Sequence, residues 1–415
     1  MTRIGLALAG GGPLGAVYEI GALCALEEAI DGLSFTQLDG YVGVSAGAML
    51  AAGLANGLSP RALCRSFIEN DGPPGDIIRP ALFIRPAWGE LLSRVARAPH
   101  LIARAAAQYA GPRGATLAAL ERLGGLLPTG LFSNASLELH LRRMLSAPGR
   151  SNDFRRLGRR LVIVATDLDS GEAAPFGQPG WDHVPISQAV VASAAMPGLF
   201  PPVPIQGRWY ADGALKKTLH ASVLLEDAPD LVLCLNPLVP FDAREHRHRV
   251  GDTGARIPRI VDGGLPVVLS QTFRTLIHSR LGQGLKGYET THPDTDILLF
   301  EPDRRDPTLF LANLFSYANR RALVEHAYQQ TRADLRSRRS SLGRTLARHG
   351  LTLNDAVLDD PHRRLLPGRR PRHDEAAWTV RRLGEVLDDL ERTLAAWPTS
   401  DLGESSRAPR AVQPR

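Results

Sequence analysis

The chain runs to 415 residues, 44% of them hydrophobic, enough for one large α/β domain with additions and a substantial core. Its three cysteines, Cys24, Cys64 and Cys234, stand far apart in apolar surroundings, a spacing that suits neither a zinc site nor a disulfide framework. The net charge of +6 is diffuse and gathers late, at 336–339 and 362–372, without the aromatic interleaving of a nucleic-acid module, and no apolar run reaches the length of a membrane span.

In chain order, residues 4–9 form an apolar run bounded by glycines and read as a fully buried strand. Arg3 ahead of that run imitates a signal peptide. The apolar part is short, turns glycine-rich and is needed as the first strand, so a soluble, unexported protein is expected. Gly10-Gly11-Gly12 then makes a turn, and Pro13 suits the first turn of a helix that carries Val17, Ile20, Leu23, Cys24 and Ala25 and stops near Asp31-Gly32. A glycine turn at a helix N-terminus gathers unpaired backbone N–H groups and binds an anion, either a phosphate or a transient oxyanion. Gly10, Gly12 and Gly15 also fit the dinucleotide pattern Gly-x-Gly-x-x-Gly. That fingerprint wants an acidic residue about 20 positions on, at the tip of the next strand. The acidic residues available, Glu27, Glu28 and Asp31, lie in the helix or at its end.

The next strand, 41–44, runs instead into Gly43-Val44-Ser45-Ala46-Gly47, followed by a helix-favouring run that stops at Asn56-Gly57. A serine that attacks an ester needs its hydroxyl on a sharp strand-to-helix turn, with glycines two residues either side to let the backbone pass closely. The competing reading is a small-residue helix start with Ser45 as N-cap. Between 59 and 148, Pro-rich turns separate Ala-, Leu- and Arg-rich stretches at 91–110 and 117–127. These predict amphipathic helices, either an insert over the catalytic edge of the sheet or an ordinary helical layer. Strands are predicted at 161–165, 209–211, 231–235 and 296–300, and helices at 186–195, 317–336 and 376–396. Residues 240–264 read as a polar loop and the tail after Trp397 as disordered. The strand at 209–211 ends at Asp212-Gly213-Ala214, which puts a carboxylate at a strand end among small residues, although Asp-Gly is also a common turn dipeptide.

Together these segments resemble the patatin-like phospholipase family. Gly10-Gly11-Gly12-Pro13-Leu14-Gly15 is similar to its oxyanion loop, Gly43-Val44-Ser45-Ala46-Gly47 to its nucleophile elbow and Asp212-Gly213-Ala214 to its Asp-Gly-Gly/Ala motif. The stretches 165–172 and 192–202 resemble connecting segments of bacterial members, and the fit covers roughly residues 3–238. The resemblance implies a three-layer α/β/α sandwich with a mostly parallel central sheet. The division expected is a catalytic core over 1–238 with a helical insert at about 59–148, a C-terminal part of the α/β domain over 239–340, a helical extension over 341–396 and a tail over 397–415.

The implied activity is that of a serine lipid acyl hydrolase, phospholipase A or lysophospholipase, with Ser45 as nucleophile and Asp212 as general base. Gly10, Gly11, Gly12 and Ala46 would form the oxyanion hole, with Gly15, Gly43, Gly47 and Gly213 as motif glycines. No cofactor and no metal are implied. The partners expected are a phospholipid or other acyl-ester lipid and, through the basic excess, transient contact with an anionic membrane surface; nucleic acid is not among them. The expected location is cytoplasmic, peripheral at the inner membrane surface. A non-catalytic lipid-binding or regulatory member is the alternative, and a dinucleotide-binding protein a further one. His220, nearest to Asp212 in sequence, opens a Ser-His-Asp alternative, but its neighbours suggest a surface or capping histidine; His183 has less support. Where family loops often carry Arg or Lys, this chain has Leu14, which removes a positive charge from the loop.

Overall fold

The computed structural model describes residues 2–79, 128–243, 259–310 and 319–366, with scattered positions between 82 and 99 and at 387 and 391. Ten strands are described: β1 (Ile4–Leu8), β2 (Ile30–Asp31), β3 (Gly40–Gly43), β4 (Arg160–Asp167), β5 (Ala173–Phe176), β6 (Val203–Ile205), β7 (Arg208–Ala211), β8 (Leu231–Leu235), β9 (Asp296–Phe300) and β10 (Thr352–Leu353). Eight of them form one sheet, hydrogen-bonded in the order β6-β7-β4-β3-β1-β8-β9 with β5 also on β4; β2 and β10 make a separate antiparallel pair. β4, β3, β1, β8 and β9 run parallel, while β5, β6 and β7 add antiparallel strands around β4.

Successive side chains of a strand point to opposite faces, and the central strands are apolar on both. Leu6, Leu8, Tyr41, Leu161, Ile163, Leu231 and Leu233 enter one core with helix α1 (Gly12–Ala29), helix α2 (Ala46–Ala55), Ile186–Ser193 and Arg320–Ser337. Ala7, Val42, Val44, Val162, Val164, Val232 and Cys234 enter the other, against Leu224, Leu225 and Leu281 of the helices Ser222–Leu225 and Gly264–Thr291. The result is the three-layer α/β/α sandwich with its mostly parallel sheet.

Beyond residue 340 the chain stays on this body. Leu342, Leu346, Leu351, Leu358 and Leu365 are buried in the larger core. Arg332, itself buried, donates to the carbonyls of Val357 (2.6 Å), Leu358 (3.2 Å) and Asp360 (2.8 Å), closing the end of the helix Asp355–Asp359.

Several local expectations change. The 28-residue helix Gly264–Thr291 has no counterpart in the sequence reading. Cys24 and Cys64, forty residues apart, meet in the core, where the Cys64 thiol and burial push the Cys24 thiol up. α1 ends at Ala29, and Ile30 leaves it extended into β2. Most of the helices predicted at 91–110 and 376–396, all of that at 117–127, and most of the 240–264 loop lie outside the described residues.

Candidate active site

Strand register brings the two candidate side chains together. Ile163 pairs with Gly43 of β3 and with Phe176 of β5, so those strands lie on opposite edges of β4. Thr166 pairs with Ala173 of β5 and Ala211 of β7, so β7 also lies opposite β5. β3 and β7 therefore share one edge of β4 and run toward each other, and Ser45 and Asp212 leave their facing ends. The approach is tight: a Cβ added at Gly213 would stand 2.1 Å from the Val164 carbonyl oxygen.

Ser45 occupies a turn that its backbone resists. Its φ of 54° with ψ of −118° is a sparsely populated conformation for a side-chain-bearing residue, one that costs on the order of 1–3 kcal/mol. The flanking glycines permit it. A Cβ at Gly43 would lie 2.5 Å from the Cα of Ala48, and one at Gly47 would lie 2.5 Å from the Ala9 carbonyl oxygen. The serine does not cap its helix with its side chain, so the N-cap reading of the hydroxyl falls. Ser193, on the helix Ile186–Ser193, braces the turn: its Oγ accepts from the Ser45 N–H (2.8 Å) and donates to the Val164 carbonyl (2.6 Å). Nothing in its small-residue surroundings marks Ser193; only the buried position does.

Asp212 is almost wholly buried. Its backbone is fixed by Asp212 N–H to the Ala195 carbonyl (3.0 Å) and by Thr166 Oγ1 donating to the Asp212 carbonyl (3.0 Å). Oδ1 accepts from the Ala214 N–H at 2.8 Å, while Oδ2 has no partner of full hydrogen-bond geometry. Burial pushes the carboxyl up to about 6, against the opposing pull of the Ala214 N–H and the Ser45 hydroxyl. Ser45 thus interacts with Asp212 without a closed, aligned bond.

The glycine turn completes the cluster. A side chain at Gly10 would wedge between Ser45 Cβ (3.2 Å) and Ala214 Cβ (3.3 Å). The Gly10 N–H is already donated to the Thr218 carbonyl (3.3 Å), so Gly10 shapes the turn without offering a free donor, a correction to its expected place in the oxyanion hole. Gly11, Gly12 and Ala46 stand at the starts of α1 and α2, where helix geometry leaves N–H groups unpaired, and all three line the cavity that holds Ser45 and Asp212. Leu14 is buried in the core. Glu27 accepts from the Phe35 N–H, while Glu28 meets Tyr328 and Arg363, so neither serves a ribose at the glycine turn.

His220 is neither a surface residue nor a cap. It is buried, and burial, then Lys217, pushes its imidazole down to about 4; backbone groups of Gly213 and Lys217 act on the ring, and Nε2 is unpartnered. It packs under the 213–217 turn. No group of three potential metal ligands occurs among the described residues.

The cavity encloses about 1170 Å³. Its lining includes Gly11, Gly12, Ser45, Ala46 and Asp212 and is otherwise mostly apolar, with Met49, Phe67, Phe132, Leu137, Phe200 and Ile277 among the residues. That size exceeds the usual range for a small-molecule site and suits a long apolar chain.

Residues 6–225 match the family model described as patatin-like phospholipase. The chain is also similar to VipD from Legionella pneumophila, with 16% identity over 81% of this chain and 67% of that one and a TM-score of 0.33. It is similar as well to a chain of the heterodimeric ExoU–SpcU complex from the type III secretion system of Pseudomonas aeruginosa, with 18% identity, 87% and 67% coverage and a TM-score of 0.23. Both superpositions are loose, and the family match stands on residues 6–225 alone.

Proposed function

Because this chain belongs to the patatin-like phospholipase family, with the lipid hydrolase activity that implies, we propose that it cleaves carboxylic esters of phospholipids or lysophospholipids through an acyl-enzyme on Ser45. The observation that carries this reading is the meeting of a strained serine, a buried carboxyl near pKa 6 and a glycine turn in the lining of a large, mostly apolar cavity.

Asp212 as carboxylate takes the Ser45 proton while Oγ attacks the ester carbonyl. The N–H groups of Gly11, Gly12 and Ala46 then face the charge that develops on the carbonyl oxygen. Collapse expels the leaving alkoxide, which takes the proton back from Asp212. Water repeats the sequence on the acyl-enzyme, with Asp212 again as base, and releases the fatty acid. A base with pKa near 6 is largely deprotonated at neutral pH and still accepts a proton, which a carboxylate near 4 does poorly. Each oxyanion donor of this kind is worth about 10²–10³ in rate.

Labelling by a fluorophosphonate probe tests the assignment. The parent should label at one site, Ser45→Ala should not label, and its hydrolysis of p-nitrophenyl esters should fall by roughly 10⁴-fold or more. Undiminished turnover in Ser45→Ala would overturn the nucleophile.

A further inference from the structure

The helix Gly264–Thr291 leaves an apolar stripe uncovered. Val261, in the turn that leads into it, and Leu265, Val268, Leu269, Phe273 and Leu276 are all exposed, Leu265 to 70% and Val261 to 67%. They recur at three- and four-residue steps, which places them along one side of the helix. These six make up most of the exposed large hydrophobic residues described, and singly scattered ones would need no explanation.

Two observations say what covers the stripe. It is continuous with the cavity that holds Ser45: Leu269, Phe273 and Leu276 are at once exposed and part of the cavity lining. The helix also carries two exposed cations, Arg280 and Lys286, and no acidic residue before Glu289, while Arg274 turns inward to the Val239 carbonyl and the Phe310 ring; Lys217 lies exposed at the same cavity. An apolar stripe flanked by cations matches the boundary between acyl chains and anionic headgroups. No helix among the described residues is long and apolar enough to cross a membrane.

We infer that this stripe is a membrane-docking surface, by which the protein seats on a bilayer containing anionic lipid and draws a lipid acyl chain over Leu269, Phe273 and Leu276 into the cavity. The inference rests on the lipid hydrolase reading for its direction of traffic, but the contact itself is independent of turnover.

The experiment uses the full chain carrying Ser45→Ala, which cannot turn over lipid, in co-sedimentation with vesicles of phosphatidylcholine alone and of phosphatidylcholine with phosphatidylglycerol. Val261 and Leu265 are replaced together by Asp; both are exposed and neither lines the cavity. Binding to the anionic vesicles should weaken at least about tenfold, since two large apolar side chains no longer leave water. It should also fall as salt rises. Leu265→Trp should strengthen it, and Leu139→Asp, exposed on the separate helix Ala135–Leu145, should leave it unchanged. In the Ser45 parent the double substitution should spare p-nitrophenyl butyrate hydrolysis while reducing release of fatty acid from vesicles.

Undiminished sedimentation of the double variant would overturn the inference. So would a concentration-dependent dimer abolished by the same changes without vesicle binding, which would make the stripe a self-association face. If the parent instead bound vesicles through this stripe but hydrolysed no soluble ester, the catalytic reading would fail and the docking surface would stand.

Discussion

At Asp212 one burial sets two pH dependences. In the proposed mechanism the carboxyl acts ionised, so kcat/KM should rise with pH through about 6 and then level; an initial-rate profile on a soluble ester checks this. For stability the sign is opposite. The folded pKa is raised from 3.8 to about 6, so the folded state holds the proton more tightly. Stability is fully present below 3.8 and is lost as pH rises to 6, by about 3 kcal/mol. His220 acts the other way: its pKa falls from 6.5 to about 4, so its contribution is present above 6.5 and lost as pH drops through 4. In the parent the two trends offset one another. Asp212→Asn should abolish turnover, raise the melting temperature at pH 7 and leave a stability that climbs with pH between 4 and 6.5. A fall over that window in the variant would show that the Asp212 carboxyl is not the group responsible. His220→Ala should lower stability while keeping kcat within a few-fold; loss of kcat at unchanged KM and normal fold would restore the histidine alternative.

At the scale of elements, the elbow is held by what its neighbours cannot admit. Gly47→Ala drives a methyl into the Ala9 carbonyl of the adjacent loop, and since that partner is backbone it cannot swing aside. The variant should lose several kcal/mol and its fluorophosphonate labelling, read by chemical unfolding and by gel. Ser193→Ala is milder. It strips the Ser45 N–H and the Val164 carbonyl of a shared buried partner, at a cost of about 1–3 kcal/mol, and lets the Ser45 turn drift. Activity should drop further than stability explains. These cases also mark what the sequence makes legible. The glycine turn, the elbow and the Asp-Gly turn can be read because each is a local backbone demand that only certain residues meet. Ser193 cannot, because its partners are 29 and 148 positions away. The helix Gly264–Thr291 is hidden by Gly282, Gly284 and Gly287, which lower its propensity, and by the exposed apolar side that blurs its periodicity. His220 looked superficial because the basic residues beside it describe its neighbours and not its own burial.

For the whole molecule, the segment 342–365 is part of the catalytic body's core. Leu358, fully buried, packs into the same cluster as α1, and Arg332 ties the carbonyls around it to the helix Arg320–Ser337. Leu358→Ala should therefore destabilise the protein by about 2–5 kcal/mol and shift a single unfolding transition. Denaturation followed by both circular dichroism and esterase activity checks this. If activity persisted after an early partial transition, the C-terminal segment would be an independent unit.

The head-to-head arrangement of β3 and β7 has a consequence for how this chemistry tolerates change. Ser45 and Asp212 are both measured off one edge of β4, so their separation is graduated in residues of a single strand, at about 3.3 Å per step. The chain between them in sequence, apart from β4 itself and β7, is a detour that returns to the same ruler. Loops along that detour can lengthen, shrink or be exchanged without touching the gauge, whereas one residue inserted within β4 between Ile163 and Thr166 would put Ser45 and Asp212 out of step at once.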